Sequence, residues 1–317
     1  MKKSIEKNEK TKSSNKNQKM YKQKNNEKQK KNNKECEQVK QSGINIVYTN
    51  ADQFTTSKKD ELLKLVAEFH PHIIALCEVK IKNGSERTKL DYEIPGYVLY
   101  PTNLFNNTGR GIALYIHTSI DNLVVEVDDE KTCDEYCLLE VKIEKNDTLL
   151  FGCIYRSPTK SLTSKENNKN INELLIKISS SKYSHICLVG DFNYKNINWD
   201  TWTTQQNESS KEATFIETLR DSFLYQHVLE PTRSRGNDDP SLIDLILTNE
   251  EMQVSNPQDK SPLGKSDHSV LTFTYDCYIQ PGQKKERRNY LKADFAAMKQ
   301  NLASTHGEMS SSNPPVV

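Results

Sequence analysis

The sequence predicts an α/β protein with two mixed β-sheets and helices on the outer faces of those sheets. A strand–helix–strand unit opens the ordered body, which is typical of parallel pairing. Several later apolar strands are separated only by tight turns, which is typical of antiparallel pairing. Helices also alternate with the later strands, so both kinds of pairing are expected in one domain.

The strand–helix–strand unit occupies residues 44–78. INIVYTN (44–50) and HIIALCE (72–78) are apolar runs with the length of buried strands. Between them Ser57 is the predicted N-cap of a helix whose apolar residues recur at helical spacing. Those residues are Leu62, Leu63, Leu65, Val66 and Phe69.

The later elements continue this alternation. In chain order we predict short strands over 97–101, 111–117 and 123–127, a hairpin of 136–143 and 149–155 that turns at 145–147, a helix over 170–178, a strand over 186–192, a helix over 212–223, and strands over 241–248 and 268–275.

Composition divides the chain into three segments. Residues 1–41 are a predicted disordered tail, because the first forty residues hold fourteen Lys and five Glu with few apolar side chains. This tail is either a solvated segment or a basic arm that contacts phosphates. Residues 42–278 form the predicted domain. Residues 279–317 are a polar, basic linker followed by one amphipathic helix over 289–303 and an unstructured end.

The domain itself carries an acidic balance. The chain has a net charge of +1 and its first forty residues an excess of nine positive charges, so the remainder is net negative by about eight. An acidic protein that acts on an acidic polymer needs cations at its site, so this balance fits a metal enzyme.

Cysteine usage indicates a reducing compartment. The chain has seven Cys, an odd number, and none form a CxxC pair. Cys77 and Cys187 lie inside apolar strands, where reduced, buried thiols are expected. We therefore expect a nuclear or cytoplasmic protein without a zinc site. The sequence shows no secretory signal and no apolar run of about 18 residues, so neither export nor a membrane span is expected.

Four acidic residues stand at the ends of predicted apolar strands. Glu78 and Asp191 end such strands, Asp244 lies within SLIDLIL, and Asp267 begins the last strand. A carboxylate in such a place costs desolvation energy unless a cation or donor compensates it. Ligands of open α/β sheets gather at strand ends, so we expect the four to share one site.

Asp191 and Asn193 are two residues apart, and alternate side chains of an extended segment face the same way. The carboxylate can then orient or deprotonate a water, and the amide can bind a phosphate oxygen. The alternative is a turn in which Asp and Asn bind the backbone. The neighbouring acidic residues favour the site.

His268 is the natural partner of the buried Asp244. A carboxylate that holds one ring nitrogen favours the imidazolium form and aims the other nitrogen outward. Such a cation can bind phosphate oxygens as charge builds in a transition state.

The remaining acids fit a hard cation with oxygen ligands. Mg²⁺ takes one or two carboxylates and several waters, and Mn²⁺ can replace it. Glu78 is the first predicted ligand and Asp52 and Asp267 are the next, with Asn50 positioning them or Asp191. Tyr155 lies at the end of its strand. Its hydroxyl either donates a hydrogen bond to phosphate, or the residue is a half-buried aromatic of the strand.

Six stretches, in this order, resemble the endonuclease/exonuclease/phosphatase superfamily, which has the deoxyribonuclease I-like fold. They are YTNAD (48–52), LCEVK (76–80), IYRSP (154–158), LVGDFN (188–193), SLIDLILTN (241–249) and KSDHSVL (265–271). The resemblance implies a four-layer α/β sandwich.

Within the superfamily the likeness is greatest to the endonuclease domain of non-LTR (LINE-type) retrotransposons. It is carried by GDFNYKNINW (190–199), EPTRSRGNDDPSLIDLILTN (230–249) and RRNYLKADFAAM (287–298). Such domains nick target DNA and leave a 3′ hydroxyl that primes a reverse transcriptase.

The superfamily implies a role for each candidate residue. Asn50 and Asp52 match the Asn and acid of the first motif, and Glu78 matches the metal ligand. Tyr155 matches a phosphate-facing Tyr, and Asp191 and Asn193 match the water-activating and phosphate-contacting pair. Asp244 and His268 match the acid–imidazole dyad, and Asp267 matches the acid before that His.

Two departures from the resemblance stand out. In GRGIALYI (109–116), Arg110 replaces the small residue of the related elements. No reverse-transcriptase segment follows the domain, so we expect that this chain does not complete retrotransposition by itself.

These patterns predict a Mg²⁺-dependent phosphodiesterase that nicks one strand of DNA and needs no small-molecule cofactor. One alternative is an abasic-site endonuclease, 3′ exonuclease or phosphatase of the same fold. Another is a catalytically silent nucleic-acid-binding protein whose basic tail supplies the affinity.

Overall fold

A computed structural model describes residues 43–81, 88–106, 109–125, 135–143, 147–158 and 162–277, the side chains of 162–165 excepted. The predicted disordered tail (1–41) and the predicted linker, helix and end (279–317) lie outside the described residues. So does most of the predicted turn at 145–147.

The first sheet contains six strands. They are β1 (Ile44–Asn50), β2 (Ile73–Cys77), β3 (Tyr97–Thr102), β4 (Ile112–His117), β11 (Val254–Lys260) and β12 (Val270–Tyr275), in the spatial order β11-β12-β1-β2-β4-β3. Only β1 and β2 pair in parallel, and α1 (Thr56–Phe69) connects them. The remaining neighbours are antiparallel.

The second sheet repeats this plan. Its strands are β5 (Asn122–Val124), β6 (Tyr136–Lys142), β7 (Thr148–Tyr155), β8 (His185–Asp191), β9 (Tyr225–Gln226) and β10 (Asp244–Thr248), in the order β5-β6-β7-β8-β10-β9. The parallel pair is β7 and β8, joined by α3 (Leu162–Ser179). Each sheet thus has one parallel pair flanked by antiparallel strands.

The two sheets pack face to face with helices outside, which confirms the predicted four-layer sandwich. The apolar residues between the sheets include Ile46, Ala75 and Phe151, all fully buried. A second cluster joins α3 and α4 (Lys211–Asp221) to the outer face of the second sheet. A third joins α1 to the first sheet. A short helix, α2 (Lys89–Tyr92), completes the described elements.

Most predicted elements are present, with boundaries that shift by a few residues. Ser57 was the wrong helix cap: it lies inside α1, and the N-cap is Thr55, two residues earlier, which accepts a hydrogen bond from the Lys58 backbone nitrogen at 3.3 Å. β11 was not predicted because this edge strand is polar and half-exposed, so it lacks an apolar face. β9 has only two residues and leaves no periodic signal.

The thiol prediction agrees with the structure where it can be compared. Cys77, Cys137, Cys153, Cys187 and Cys277 are buried and free, as expected. Cys36 and Cys133 lie outside the described residues. Within the described part of the chain, no helix combines the length and apolar character that a membrane crossing requires.

Candidate active site

The two parallel strand pairs bring four of the predicted residues to one edge of the sandwich. Asn50 ends β1 and Glu78 follows β2, while Tyr155 ends β7 and Asp191 ends β8. Parallel strands present their carboxyl ends on the same side, so each pair delivers two side chains. In the second sheet, Asp244 at the start of β10 lies directly opposite Asp191.

Gly190 makes the approach of Asp191 possible. A Cβ at this position would collide with the Ile154 backbone carbonyl on β7. Only glycine therefore lets β8 run this close to β7 just before Asp191.

Asp244 is the centre of a buried hydrogen-bond network. Its Oδ1 accepts from the Tyr48 hydroxyl at 2.7 Å, which links the two sheets. Its Oδ2 accepts from Thr232 Oγ1 and lies 2.7 Å from His268 Nδ1. Asp244 is fully buried, so this network replaces the water that the carboxylate loses. The predicted acid–imidazole pair is present in the geometry.

The other ring nitrogen of His268 points into the cleft. Nε2 lies 4.0 Å from Asp191 Oδ2 and 3.8 Å from Asp267 Oδ1. Burial alone would lower the pKa of His268, but the Asp244 carboxylate, followed by Asp191 and Asp267, raises it to about 9. The imidazole is therefore protonated at neutral pH.

Asp191 is buried and held in place by two donors. Asn50 Nδ2 donates to Oδ2 at 2.9 Å, and the Asn193 backbone nitrogen donates to Oδ1 at 3.1 Å. Burial, reinforced by repulsion from Asp244, raises the pKa of Asp191 well above the usual value. Asp191 therefore has a strong tendency to hold a proton.

Glu78 accepts hydrogen bonds on both carboxylate oxygens. Its Oε1 accepts from Asn50 Nδ2 at 3.1 Å and from the Tyr155 hydroxyl at 2.9 Å. Its Oε2 accepts from Arg110 Nε at 2.8 Å. Burial would raise the pKa of Glu78, but the donors Asn50, Arg110 and Tyr155 together lower it. The carboxylate is therefore ionised and fully engaged.

Asp267 and Asp52 lie at the open side of the site. Asp267 Oδ2 pairs with Arg233 through Nε at 2.9 Å and Nη2 at 2.8 Å. Asp52 lines the cleft, and Asn50 Oδ1 accepts from its backbone nitrogen at 3.0 Å. Lys58 Nζ donates to the carbonyls of Ala51 and Asp52 and so fixes this loop from α1.

Asp191 and Asn193 both line the cleft, but the extended geometry expected for them is wrong. Asn193 has φ of 54°, in the left-handed region, and its backbone nitrogen closes a turn on Asp191. Its Nδ2 donates to the Arg156 carbonyl at 2.9 Å. The turn and the site were posed as alternatives, yet the turn is what brings both side chains to the cleft.

Four of the nine described non-glycine residues with positive φ lie at this edge of the sandwich. They are Asp52 (34°), Gln53 (71°), Glu78 (49°) and Asn193 (54°). Asp and Asn adopt such angles more readily than other residues with a side chain, so Gln53 and Glu78 are the less usual cases.

These side chains surround a single cleft of about 650 Å³. Its walls include Asn50, Asp52, Glu78, Asp191, Asn193, Asp267 and His268. Lys195, Arg233, Arg235 and Lys265 add positive charge to the same walls. Tyr155 and Asp244 are buried behind this surface and reach it through Glu78 and His268.

The sequence pattern did not reveal several residues that shape the site. Tyr48 and Thr232 hold Asp244, and Arg233 holds Asp267. Arg156, buried and stacked on the Tyr194 ring, donates to the carbonyls of Phe192 and Asn193 at 3.2 Å. Thr232 and Arg233 lie in the stretch EPTRSRGNDDPSLIDLILTN (230–249), and Arg156 follows Tyr155. Only the packing of the folded chain shows what these residues contact.

The architecture matches the deoxyribonuclease I-like α/β sandwich of endonuclease/exonuclease/phosphatase structures. Residues 149–272 match a sequence family described as endonuclease-reverse transcriptase. No curated protein matches the chain.

Solved structures of low sequence identity share the fold. The endonuclease domain of TRAS1, a telomere-specific non-LTR retrotransposon, is 14% identical, with a TM-score of 0.54 over 74% of this chain and 99% of that domain. An AP endonuclease from Leishmania major is 12% identical, with a TM-score of 0.56 over 74% of this chain and 87% of its own. The APE2 catalytic domain from Xenopus laevis is 14% identical, with a TM-score of 0.57 over 76% of this chain and 94% of its own.

Proposed function

We propose that the chain is a metal-dependent endonuclease that hydrolyses one strand of DNA. The observation that carries this proposal is the convergence of Asp191, Glu78 and the Asp244–His268 pair on one cleft. The match to the endonuclease-reverse transcriptase family supports a retrotransposon-type nuclease over other members of the superfamily.

The open side of the cleft suits Mg²⁺ or Mn²⁺. Three acidic residues line the same space, and hard cations prefer carboxylate ligands; they are Glu78, Asp52 and Asp267. When bound, the cation would polarise the phosphate and stabilise the leaving oxygen.

A buried cluster of Asp191, Asp244 and His268 could also hold a metal ion by distance alone. We place the cation at Glu78 instead. Asp244 is fully buried, whereas Glu78 lines the open cleft, and Mg²⁺ usually keeps several of its waters.

The protein side chains supply the remaining chemistry. Asp191 lies next to the cleft, and its raised pKa makes its ionised form a stronger base, which would orient the attacking water and accept its proton. His268 Nε2, a cation aimed into the cleft, would bind a non-bridging phosphate oxygen. Asn193 would contact the phosphate beside Asp191, and Tyr155 would act through Glu78.

Nicking of supercoiled plasmid tests the proposal. Wild-type protein with Mg²⁺ should produce relaxed circles, and EDTA should abolish them. His268→Ala should lose most of this activity, while His117→Ala should not, because His117 lies at the far end of β4. Wild-type-like nicking by folded His268→Ala would count heavily against the mechanism.

The structural similarity to an AP endonuclease motivates an alternative within the same fold. A duplex with one abasic site, an intact duplex, a 3′-recessed duplex and a phosphoinositide would separate the candidates. Preferential cleavage at the abasic site would replace the proposed specificity and leave the shared chemistry unchanged.

The silent nucleic-acid-binding protein is the alternative from another class, and the basic residues 1–40 motivate it. It predicts salt-sensitive DNA binding without any Mg²⁺-dependent product. Deleting these residues should then flatten the dependence of binding on salt. An unchanged salt slope would show that the tail is not a DNA-binding arm.

A further inference from the structure

The Glu78 carboxylate is paired with the Arg110 guanidinium in this structure. Arg110 Nε donates to Glu78 Oε2 at 2.8 Å, and Arg110 Nη2 lies 2.6 Å from the same oxygen. Nη2 lacks good hydrogen-bond geometry there, so its contact is one of charge. The guanidinium therefore neutralises the carboxylate from the side that Asn50 and Tyr155 leave open.

The backbone aims Arg110 at this position. Gly109 and Gly111 flank it with φ of 63° and 80°, which a larger residue would adopt only with strain. The Glu135 carboxylate accepts from the backbone nitrogens of Arg110 and Gly111. The Lys80 backbone nitrogen donates to the Arg110 carbonyl at 3.0 Å, which ties this turn to the segment after Glu78.

A divalent cation and this guanidinium compete for the same oxygen. With four contacts on its two oxygens, Glu78 offers a metal no unengaged site. Two cations bound at one carboxylate also repel each other strongly in a partly buried site. The Arg110 side chain is 22% exposed although its Nη2 is buried, so leaving Glu78 would bring the guanidinium further into solvent.

We propose that Arg110 is the counter-ion of Glu78 in the metal-free protein and leaves Oε2 when a divalent cation binds. Arg110 thereby sets the concentration of divalent cation at which the site becomes occupied. This inference rests on the proposed role of Glu78 as a metal ligand. The opposite possibility is that Arg110 holds Glu78 in the geometry that the metal needs. The two possibilities predict opposite effects of an Arg110 substitution on metal affinity.

Metal binding tests the inference without DNA. Electron paramagnetic resonance would measure the binding of Mn²⁺ alone, and calorimetry would measure the binding of Mg²⁺ alone. We expect Arg110→Gln to bind either ion roughly 10-fold more tightly than wild type, because it removes a competing charge in a partly screened site. Arg110→Lys keeps the charge and should bind like wild type. Arg235→Gln is the matched control, because it removes a positive charge from the wall of the same cleft.

Glu78→Gln separates the inference from the function on which it rests. If Arg110→Gln binds the ions no better than wild type while Glu78→Gln weakens binding, the metal site stands and the competition is disproved. If Glu78→Gln leaves binding unchanged, both ideas fail. An equal gain in Arg235→Gln and Arg110→Gln would also disprove the inference, since general charge would then be the cause.

The wild-type protein gives a second readout in case Arg110→Gln does not fold. The ¹⁵N resonance of Arg110 Nε, assigned by its loss in Arg110→Lys, should shift and exchange faster with solvent as Mg²⁺ is added. An unchanged resonance at saturating Mg²⁺ would overturn the inference.

Discussion

The two ends of the cleft neutralise their carboxylates in different ways. At the inner end, Asp244 is fully buried and bound by Tyr48, Thr232 and His268, so neutral donors and one imidazole share the charge. At the outer end, Glu78 and Asp267 are partly exposed and each pairs with an arginine.

This difference separates a fixed part of the site from an exchangeable one. The inner network links both sheets through Tyr48 and Asp244, so it cannot rearrange without disturbing the core. The outer ion pairs contact solvent, where a guanidinium can be replaced at little cost. The proposed nuclease would need both properties, because its cleft would bind and release a cation at one end and orient a proton acceptor at the other.

The largest expected effect is on activity at the inner end. Asp191→Ala and His268→Ala should each reduce the rate of plasmid nicking by at least roughly 100-fold, as befits a general base and an oxyanion-stabilising cation. Thermal unfolding of each variant shows whether it is folded. Activity within a few-fold of wild type in a folded variant would remove that residue from the mechanism.

Stability should distinguish the two ends. Asp244→Ala leaves Tyr48, Thr232 and His268 without their buried acceptor and should lower the free energy of unfolding by about 3–5 kcal/mol. Glu78→Ala breaks contacts at a partly exposed site and should cost about 1–2 kcal/mol. Urea denaturation in EDTA measures both. An equal loss would mean that the inner network is no more constrained than the outer pair.

The pH dependence of stability in EDTA should also differ between the ends. The pKa of His268 is raised to about 9 from the ordinary 6.5, so its contribution is complete below about 6.5 and lost as pH rises through 9. The pKa of Glu78 is lowered from 4.5, so its contribution is present above that value and lost as the solution becomes more acidic.

Melting temperatures across this range, compared between wild type and His268→Gln, would check the alkaline limb. We expect a decline of the wild-type melting temperature between about pH 6.5 and 9 that is shallower in His268→Gln. Parallel curves for the two proteins would show that His268 does not cause the decline.

The smallest effect is expected at the Arg233–Asp267 pair. Arg233→Gln removes a partly exposed ion pair, which is worth about 0–1 kcal/mol of stability. That contribution should shrink further in high salt, because ions screen exposed charges. Urea denaturation at low and high salt measures it, and a loss above that range would place Asp267 in the fixed part of the site.

Parts of the site were predictable because they stand in strands with strong patterns. Asp191 and Glu78 follow buried apolar runs, and the pairing of Asp244 with His268 followed from the cost of a buried charge. Arg110 was visible only as a departure from the related elements, and its contact with Glu78 depends on the β2–β4 pairing.

The sequence by itself determined the alternation of strands and helices, the buried thiols of the described strands and the acids that stand at strand ends. These features depend on local periodicity and on desolvation cost, which a single chain segment already carries. Only the tertiary structure decided which donor each acid receives. Hydrogen bonds such as that from Tyr48 to Asp244 join residues 196 positions apart, and their partners depend on the packing of the two sheets.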